Sequence, residues 1–315
     1  MSNNETIQVF CGGDRSQWLP FQVLAHSIRR HTARTVDIRV IDNGVAPMPT
    51  DPRVAPYTEF SFARFAIPAL RGYAGRAVYM DSDMLVFADI GELWDTPMAG
   101  ATVAIEISSR QQTDRGKHAA VMLLDCAALD WNVERIVAGL GRDYDYNALM
   151  AIDPLLKGGQ MRELIASGWN DLDMYRAELT RNLHYTEIRT QPWVFAAHPQ
   201  GQLWIDEVAL MLESGALSPG DLEEEVRLGH ARPSLLPQLG LGEERADAGS
   251  PRMAMNAPLL LAYDRASGFV AHQALLARFA ARKRAIARFR HEQASARHPW
   301  LRPWFRLLFR LRYGD

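Results

Sequence analysis

The sequence is poor in cysteine and has no long hydrophobic run. Cys11 and Cys126 are the two cysteines among 315 residues, and they lack the spacing of a zinc or redox motif. This excludes a small disulfide-stabilised scaffold and predicts a reducing, cytoplasmic compartment. No stretch of about twenty apolar residues is present, and the N-terminal residues, which include Glu5, have no apolar segment after a positive start. Neither a membrane-spanning helix nor a signal peptide is therefore expected.

The common nucleotide-binding and nucleic-acid-binding motifs are also missing. Gly12-Gly13-Asp14 follows the first predicted strand, but it is not a G-x-G-x-x-G fingerprint and no Walker lysine follows it. A tight turn and a nucleotide contact are equally good interpretations of these residues. No recognised motif indicates a nucleic-acid partner, and none is expected.

The charges are distributed unevenly along the chain. The formal net charge is −2, yet residues 271–315 hold 11 of the 35 Lys and Arg residues and 2 of the 37 Asp and Glu residues. Aromatic, aliphatic and basic residues alternate through this tail, which predicts helices that contact an anionic membrane surface at the inner face of the cytoplasmic membrane. For the first part, Phe269 to Arg290, a helix that packs its apolar face on the protein body is the alternative.

The order of apolar segments predicts an α/β fold. A strand at Ile7–Cys11, a helix at Leu19–Arg30 and a strand at Val36–Ile41 form a βαβ unit, in which ligands bind beyond the carboxyl ends of the strands. Three regions are expected: a main domain over 1–200, helices and a linker over 201–260, and the basic tail over 261–315. The other predicted elements are a short helix at Ser61–Pro68, strands at Ala101–Ile107 and Ala119–Asp125, and helices at Leu129–Leu140, Tyr146–Leu156, Gln160–Ser167, Leu203–Glu213 and Leu222–Val226.

Two carboxylates interrupt an otherwise apolar segment. Asp81 and Asp83 lie between the apolar runs Ala77–Met80 and Met84–Phe87. Ionised carboxylates in such a position are costly unless they are paired, hydrogen-bonded or coordinated to a metal. Side chains two residues apart on a strand share a face, so the pair can form an oxygen clamp for Mg²⁺ or Mn²⁺. A plain surface turn is the alternative interpretation.

Two further side chains are candidates for binding roles. His184 lies in an apolar-polar alternating segment before Pro192-Trp193, where it is either a structural histidine or a metal ligand. Arg64 is the only basic residue between Arg53 and Arg71. It either clamps phosphate oxygens or lies exposed on a short helix.

Three motifs follow one another along the chain: Ser61-x-x-Arg64-Phe65-x-Ile67-Pro68, Val78–Val86 with Asp89-Ile90-x-Glu92-Leu93-Trp94, and His184-Tyr185-Thr186 before Pro192-Trp193. Together they resemble those of glycosyltransferase family 8, which includes the bacterial lipopolysaccharide hexosyltransferases and glycogenin. The resemblance implies a GT-A fold, with a Rossmann-like nucleotide-binding half and a mixed sheet, here followed by a helical C-terminal extension. It also implies retaining, metal-dependent transfer of a hexose from a UDP-sugar to a glycan or lipid-linked acceptor, with Mn²⁺, or else Mg²⁺, as cofactor.

The resemblance assigns a role to each candidate residue. The metal ligands that it implies are Asp81, Asp83 and His184. Arg64 becomes a catalytic residue that also contacts the donor, and Asp145 is a candidate catalytic residue on the acceptor side, with a solvated loop residue as the alternative. The remaining donor-binding candidates are Gly12, Asp14, Ser82 and Arg189.

The chain departs from the family pattern at several places. Glu187 and Gln191 stand where the family has Gly and a diphosphate-binding Lys, so Arg189 is the candidate to supply the missing charge. His118 stands in a segment that often carries Asn. These changes keep a second function open, that of a non-catalytic binding protein. A haloacid-dehalogenase-type phosphatase is a third, although Leu85 departs from its signature.

Overall fold

The computed structural model describes residues 5–49, 51, 53–55, 58, 60–107, 119–152, 155–156, 160–241 and 256–313. The strands are β1 (Ile7–Gly12), β2 (Val36–Ile41), β3 (Arg76–Asp81), β4 (Met84–Val86), β5 (Val103–Glu106), β6 (Val121–Asp125), β7 (Met161–Ile165), β8 (Asp171–Leu172) and β9 (Asn182–His184). The helices of the first half are α1 (Trp18–His31), α2 (Ile67–Leu70), α3 (Ile90–Trp94), α4 (Val133–Ala138) and α5 (Tyr146–Met150). Those of the second half are α6 (Gly201–Ser214), α7 (Pro219–Arg227), α8 (Leu235–Gln238), α9 (Ala257–Ala266), α10 (Gln273–Arg297) and α11 (Arg302–Tyr313).

The main sheet has six strands in the order β2-β1-β3-β6-β5-β7. β1 is parallel to β2 and β3, β6 is antiparallel to β3 and β5, and β7 is parallel to β5. A second sheet has the order β4-β9-β8. The predicted fold class, an α/β domain with a mixed sheet and a helical C-terminal extension, is confirmed.

Side-chain alternation along β3 places an apolar core on each face of the main sheet. Tyr79 belongs to one cluster, whereas Val78 and Met80 belong to the other, which α1 covers with Leu24 and Ile28. All three β3 side chains are fully buried, as expected for a central strand covered on both faces.

A third core joins the second sheet to the helices that follow it. Leu85 of β4 and Leu183 of β9 share a cluster with Trp193 and Trp204. The buried Arg232 ties this region to the chain after β9, because its Nε donates to the carbonyl of Pro192 at 3.1 Å and its backbone N–H donates to that of Trp193 at 2.7 Å. The helices after residue 200 therefore pack directly on the strands that carry the site described below.

The predicted helix at Gln160–Ser167 is wrong, because Met161–Ile165 forms β7 and pairs with β5. The few apolar residues of this segment fit the periodicity of a helix as well as that of a strand. Its pairing with β5 at the edge of the sheet therefore determined its conformation. Gly168 follows it with φ +94°, and a Cβ there would lie 2.2 Å from the carbonyl oxygen of Leu179. A close backbone approach thus requires glycine at this position.

Two predicted helices are shorter than expected. The one at Leu129–Leu140 begins only at Val133, where the side chain of Asn132 caps it, and ends at Ala138. The one at Tyr146–Leu156 ends at Met150, and Ile152 adopts φ +66°, which cannot continue a right-handed helix. In both cases the apolar pattern extends beyond the helix into buried loop residues.

The C-terminal region forms two further helices after α9. α10 has 25 residues and α11 has 12. Within the described ranges, no helix combines the length and apolar character needed to cross a bilayer. The predicted domain boundaries at residues 200 and 260 remain predictions.

Candidate functional site

Sheet pairing brings Asp81, Asp83 and His184 to one place. Asp81 ends β3, and its register partner on the parallel strand β1 is Gly12. β4 begins three residues later and runs antiparallel to β9 with Met84 opposite His184. The backbone N–H of Tyr185 donates to the carbonyl of Asp83 at 2.9 Å. His184 reaches the carboxylates because this register fixes it beside the chain that leaves β3.

The three side chains form a group suited to a metal ion. Each offers one ligand atom, and these atoms all lie within 4.8 Å of one another. Nε2 of His184 is 3.1 Å from Oδ1 of Asp83, while its Nδ1 is 2.9 Å from Oδ1 of Asn170. Because an amide oxygen accepts, Nδ1 carries a proton, and the neutral ring then turns a lone pair toward the carboxylate.

This arrangement requires a positive charge between the two groups. Oδ1 of Asp83 is buried and accepts no hydrogen bond within the described part of the protein. Burial alone would lower the pKa of His184, but that pKa is raised overall by the charges of Asp83, Asp81 and Asp173 and by the hydrogen bond that a ring protonated at Nε2 would donate to Asp83. A proton on Nε2 of His184 or a bound cation would supply that charge. One nitrogen and two carboxylate oxygens are a donor set that suits Mn²⁺ and also accepts Mg²⁺.

A second layer of hydrogen bonds orients the candidate ligands. The amide nitrogen of Gln191 donates to Oδ2 of Asp83 at 3.0 Å and to the carbonyl of Tyr185 at 2.8 Å. The hydroxyl of Tyr79 donates to Oδ1 of Asp81 at 2.5 Å. Such partners hold ligands in position and typically change metal affinity when they are lost. Each of the three ligand side chains is therefore held by at least one neighbour.

Arg64 is a buried cation beside Asp81. Its Nη2 lies 3.2 Å from Oδ1 of Asp81, its Nη1 donates to the carbonyl of Ala119 at 3.0 Å, and its guanidinium is centred 4.5 Å from the ring centroid of Tyr79. It lies in a 3₁₀ turn, Ala63–Ala66, rather than on an exposed helix face. Its charge is directed into the site and offsets that of Asp81.

The group opens into a cleft of about 580 Å³. That volume is within the usual range for small-molecule sites. One wall carries Asp81, Ser82, Asp83, His184 and Gln191, and other walls include Gln17, Tyr146, Asn147, Met150 and, from α10, Leu275. The cleft combines a cation site with an apolar and hydrogen-bonding surface.

The structure gives the other predicted donor-binding residues different surroundings. A Cβ at Gly12 would come within 2.8 Å of the Tyr79 hydroxyl, so this position suits glycine. Asp14 caps the 3₁₀ turn Arg15–Gln17, accepting the N–H of Ser16 at 2.8 Å. Ser82 is buried in the cleft wall, and Arg189 is exposed and is not a residue of that wall. The donor-binding roles of these residues remain predictions.

The predicted acceptor-side residue serves a local structural purpose. Asp145 is the N-cap of α5, and its carboxylate accepts the N–H of Ala148 at 2.8 Å. Its neighbours Tyr146 and Asn147 line the cleft, whereas Asp145 does not. A catalytic role for Asp145 remains a prediction, and His118 lies outside the described residues.

Sequence reasoning missed the residues that support the ligands. Asn170, Gln191 and Tyr79 all touch a ligand side chain, yet none carries a local signal for this. Asn170 lies in the turn between β7 and β8, where polar residues are ordinary. Only Gln191 was marked, as a departure from the family pattern.

Comparison with known proteins finds similarity to one family over part of the chain. Residues 21–132 match the model of the family described as glycosyl transferase family 8. Protein CDI of Arabidopsis thaliana is 36% identical over 98 residues, which are 30% of this chain and 38% of that protein. Glycosyltransferase 8 domain-containing protein 1 of Mus musculus is 34% identical over 86 residues, 27% of this chain and 18% of that protein. The similar segments thus span less than two fifths of these relatives.

Solved structures of glycosyltransferases are similar at low sequence identity. The galactosyltransferase LgtC, in complex with donor and acceptor sugar analogues, is 15% identical with a TM-score of 0.49, over 70% of this chain and 100% of that one. GlyE of Streptococcus pneumoniae TIGR4 is 17% identical with a TM-score of 0.47, over 73% of this chain and 65% of that one. The segment matched by the family model includes Arg64 and the Asp-Ser-Asp residues, so the resemblance to glycosyltransferase family 8 seen in the sequence is confirmed for that part of the chain.

Proposed function

We propose that the protein is a metal-dependent glycosyltransferase that transfers a hexose from a UDP-sugar to a glycan or lipid-linked acceptor with retention of anomeric configuration. The observation that supports this most is the buried, unsatisfied Oδ1 of Asp83, which faces Nε2 of His184 at 3.1 Å beside Asp81. A site built in this way needs a cation, and a divalent cation in an open cleft binds phosphate oxygens well.

The residues of the cleft have distinct tasks in this proposal. Asp81, Asp83 and His184 hold Mn²⁺ or Mg²⁺, which when bound acts as a Lewis acid beside the diphosphate of the donor. Gln191 and Asn170 keep Asp83 and His184 in their binding orientations. Arg64 keeps a permanent positive charge next to Asp81, where negative charge grows as the UDP leaving group departs. Tyr146, Asn147 and Met150 form the part of the cleft where an acceptor hydroxyl can approach the sugar.

A screen of UDP-sugars tests this function. We expect Mn²⁺-dependent release of UDP from one donor sugar, with loss of activity when EDTA is added and recovery when Mn²⁺ is restored. Tight binding of UDP without release from any sugar would favour the non-catalytic alternative. Metal-dependent release of phosphate from simple phosphomonoesters, with no UDP release, would favour the phosphatase.

We also propose that α11 contacts an anionic membrane surface, which would place the enzyme near a lipid-linked acceptor. Trp304, Leu307, Leu308 and Leu311 repeat at helical spacing and are 65%, 49%, 59% and 75% exposed. The opposite side of the helix packs on α10, where the rings of Phe305 and Phe309 lie 5.9 and 5.7 Å from that of His291. An exposed apolar stripe among arginines suits the headgroup region of anionic lipids.

Vesicle sedimentation tests the membrane contact. We expect binding to vesicles that contain anionic phospholipid and weaker binding to zwitterionic vesicles, because the arginines add an electrostatic attraction. Leu311→Glu should reduce binding severalfold by placing a charge in the apolar stripe. Leu210→Glu, at a 40% exposed leucine of α6, is the matched control and should bind as the parent does. Equal binding by all three proteins to both lipids would contradict the proposal.

A further inference from the structure

The start of α10 places a histidine beside the candidate metal site. Nε2 of His272 is 2.9 Å from Oε1 of Gln191, the residue whose amide nitrogen donates to Asp83. The preceding Phe269 and Ala271 pack against the third core, which anchors this part of the chain. One turn later, Leu275 lines the cleft. His272 directly precedes α10 and contacts Gln191, a residue of the cleft wall, so this end of α10 lies beside the cleft.

The hydrogen-bond network fixes the protonation of this imidazole. The amide nitrogen of Gln191 donates to two acceptors, so its oxygen is the atom that faces His272. An amide oxygen only accepts, and Nε2 of His272 therefore carries the proton. Burial lowers the pKa of His272, and the charges of Asp83 and Asp14 offset only part of this. His272 is thus a neutral N–H donor directed at a neutral acceptor.

The backbone at His272 is held in an uncommon conformation. Its φ of 50° and ψ of 38° are left-handed, and no side-chain hydrogen bond caps α10 there. Non-glycine residues adopt this region at a cost, and such positions concentrate at functional sites. The fold therefore holds His272 in a backbone conformation that a non-glycine residue does not favour.

Two strong donors of the cleft, the Arg64 guanidinium and the Gln191 amide, are already engaged. Among the described residues that line it, Arg64 is the one Lys or Arg, and it is bonded to Asp81 and to the carbonyl of Ala119. Both hydrogens of the Gln191 amide have acceptors. The bond from His272 to a neutral amide oxygen is different, because a phosphate oxygen is a stronger acceptor and can replace that oxygen.

We propose that His272 is a donor-binding residue that hydrogen-bonds the diphosphate of the bound nucleotide, exchanging Oε1 of Gln191 for a phosphate oxygen. This rests on the proposed function, and it adds to it a substrate contact supplied by the C-terminal helix rather than by the sheet. The exchange moves no proton, since the same Nε2–H donates before and after.

Calorimetry on the full chain tests the inference with UDP, uridine and Mn²⁺ as probes. His272→Gly removes the imidazole and relieves the left-handed backbone, so the variant should fold as stably as the parent. We expect its affinity for UDP at saturating Mn²⁺ to fall by about tenfold to a hundredfold, as for loss of one hydrogen bond to a charged group. Its affinity for Mn²⁺ alone and for uridine should change by less than about twofold. His230→Ala is the control, because His230 acts on His272 electrostatically but is bonded to Glu225.

Three outcomes would overturn the inference, and they are distinguishable. Unchanged UDP affinity in His272→Gly would show that the histidine does not touch the diphosphate. An equal loss of affinity for Mn²⁺ alone would show that it acts through Gln191 on Asp83 instead. If the parent protein binds no nucleoside diphosphate with or without Mn²⁺, the proposed function itself is wrong, and the inference falls with it.

Discussion

Replacing Asp83 by asparagine is expected to lower Mn²⁺ affinity by more than about a hundredfold and to remove the dependence of UDP binding on Mn²⁺. Loss of a residue that merely supports a ligand typically costs tenfold to a hundredfold in metal affinity, and loss of a carboxylate ligand should cost more. Titration of UDP into the parent and Asp83→Asn, each with Mn²⁺ and with EDTA, measures the effect.

The same variant should be at least as stable as the parent when no metal is present. In the parent, a lone pair of His184 faces Oδ1 of Asp83 at 3.1 Å. An asparagine can instead turn its NH₂ toward His184 and its oxygen toward the amide of Gln191, so that every group has a partner. We therefore expect the melting temperature in EDTA to be equal or higher, which separates a loss of metal binding from a loss of fold.

Asp125→Asn is the matched control for this experiment. Asp125 ends β6 as Asp81 ends β3, but β6 is antiparallel to β3, and Asp125 is paired with Arg76 at the opposite end of that strand. It should bind Mn²⁺ and UDP as the parent does. Equal UDP affinity with Mn²⁺ and with EDTA in the parent would contradict the assignment of the metal site.

Replacing Arg64 by methionine is expected to destabilise the metal-free protein by about 3 kcal/mol. Removing one partner of a buried ion pair leaves the other charge uncompensated, and such changes typically cost about 3–5 kcal/mol. The lower end applies because the Asp81 side chain is 23% exposed and keeps its bond from Tyr79. Denaturant unfolding in EDTA measures this cost.

Mn²⁺ should restore more stability to Arg64→Met than it adds to the parent. Without the guanidinium, the metal is the cation that remains beside Asp81, so its binding removes a larger electrostatic penalty. Arg162→Met is the control, since Arg162 also donates to a backbone carbonyl, that of Ala99 at 2.9 Å, but at the exposed surface. An equal gain from Mn²⁺ in all three proteins would show that Arg64 and the metal do not share Asp81.

Sequence patterns over a few residues correctly predicted those features whose conformation depends on neighbouring residues in the chain. The βαβ unit was visible because β1, α1 and β2 have clear periodicity and short connections. Asp81 and Asp83 were recognisable because carboxylates inside an apolar segment demand a partner. His184 could be joined to them only through the family resemblance, since its contact with Asp83 depends on the pairing of β4 with β9.

The rest depended on contacts between distant parts of the chain. β7 was mistaken for a helix because the edge of the sheet, and not its own sequence, determines its conformation. In the sequence, Gln191 was notable only because it stands where the family has a lysine. The structure shows that it is hydrogen-bonded to Asp83 and to His272, a residue 81 positions further along the chain. No periodicity or spacing encodes a contact of that range.

The third core has a consequence for engineering the enzyme. His184 is carried by a strand of three residues, and Leu183, Trp193 and Trp204 clamp that strand against the helices that follow. Cutting the gene after residue 200 would keep all the cleft residues except Leu275, yet it would remove the helices that pack against the strand of the candidate metal ligand His184. The half of the chain that carries the cleft is therefore not an independent module, and chimaeras should exchange it together with α6 to α8.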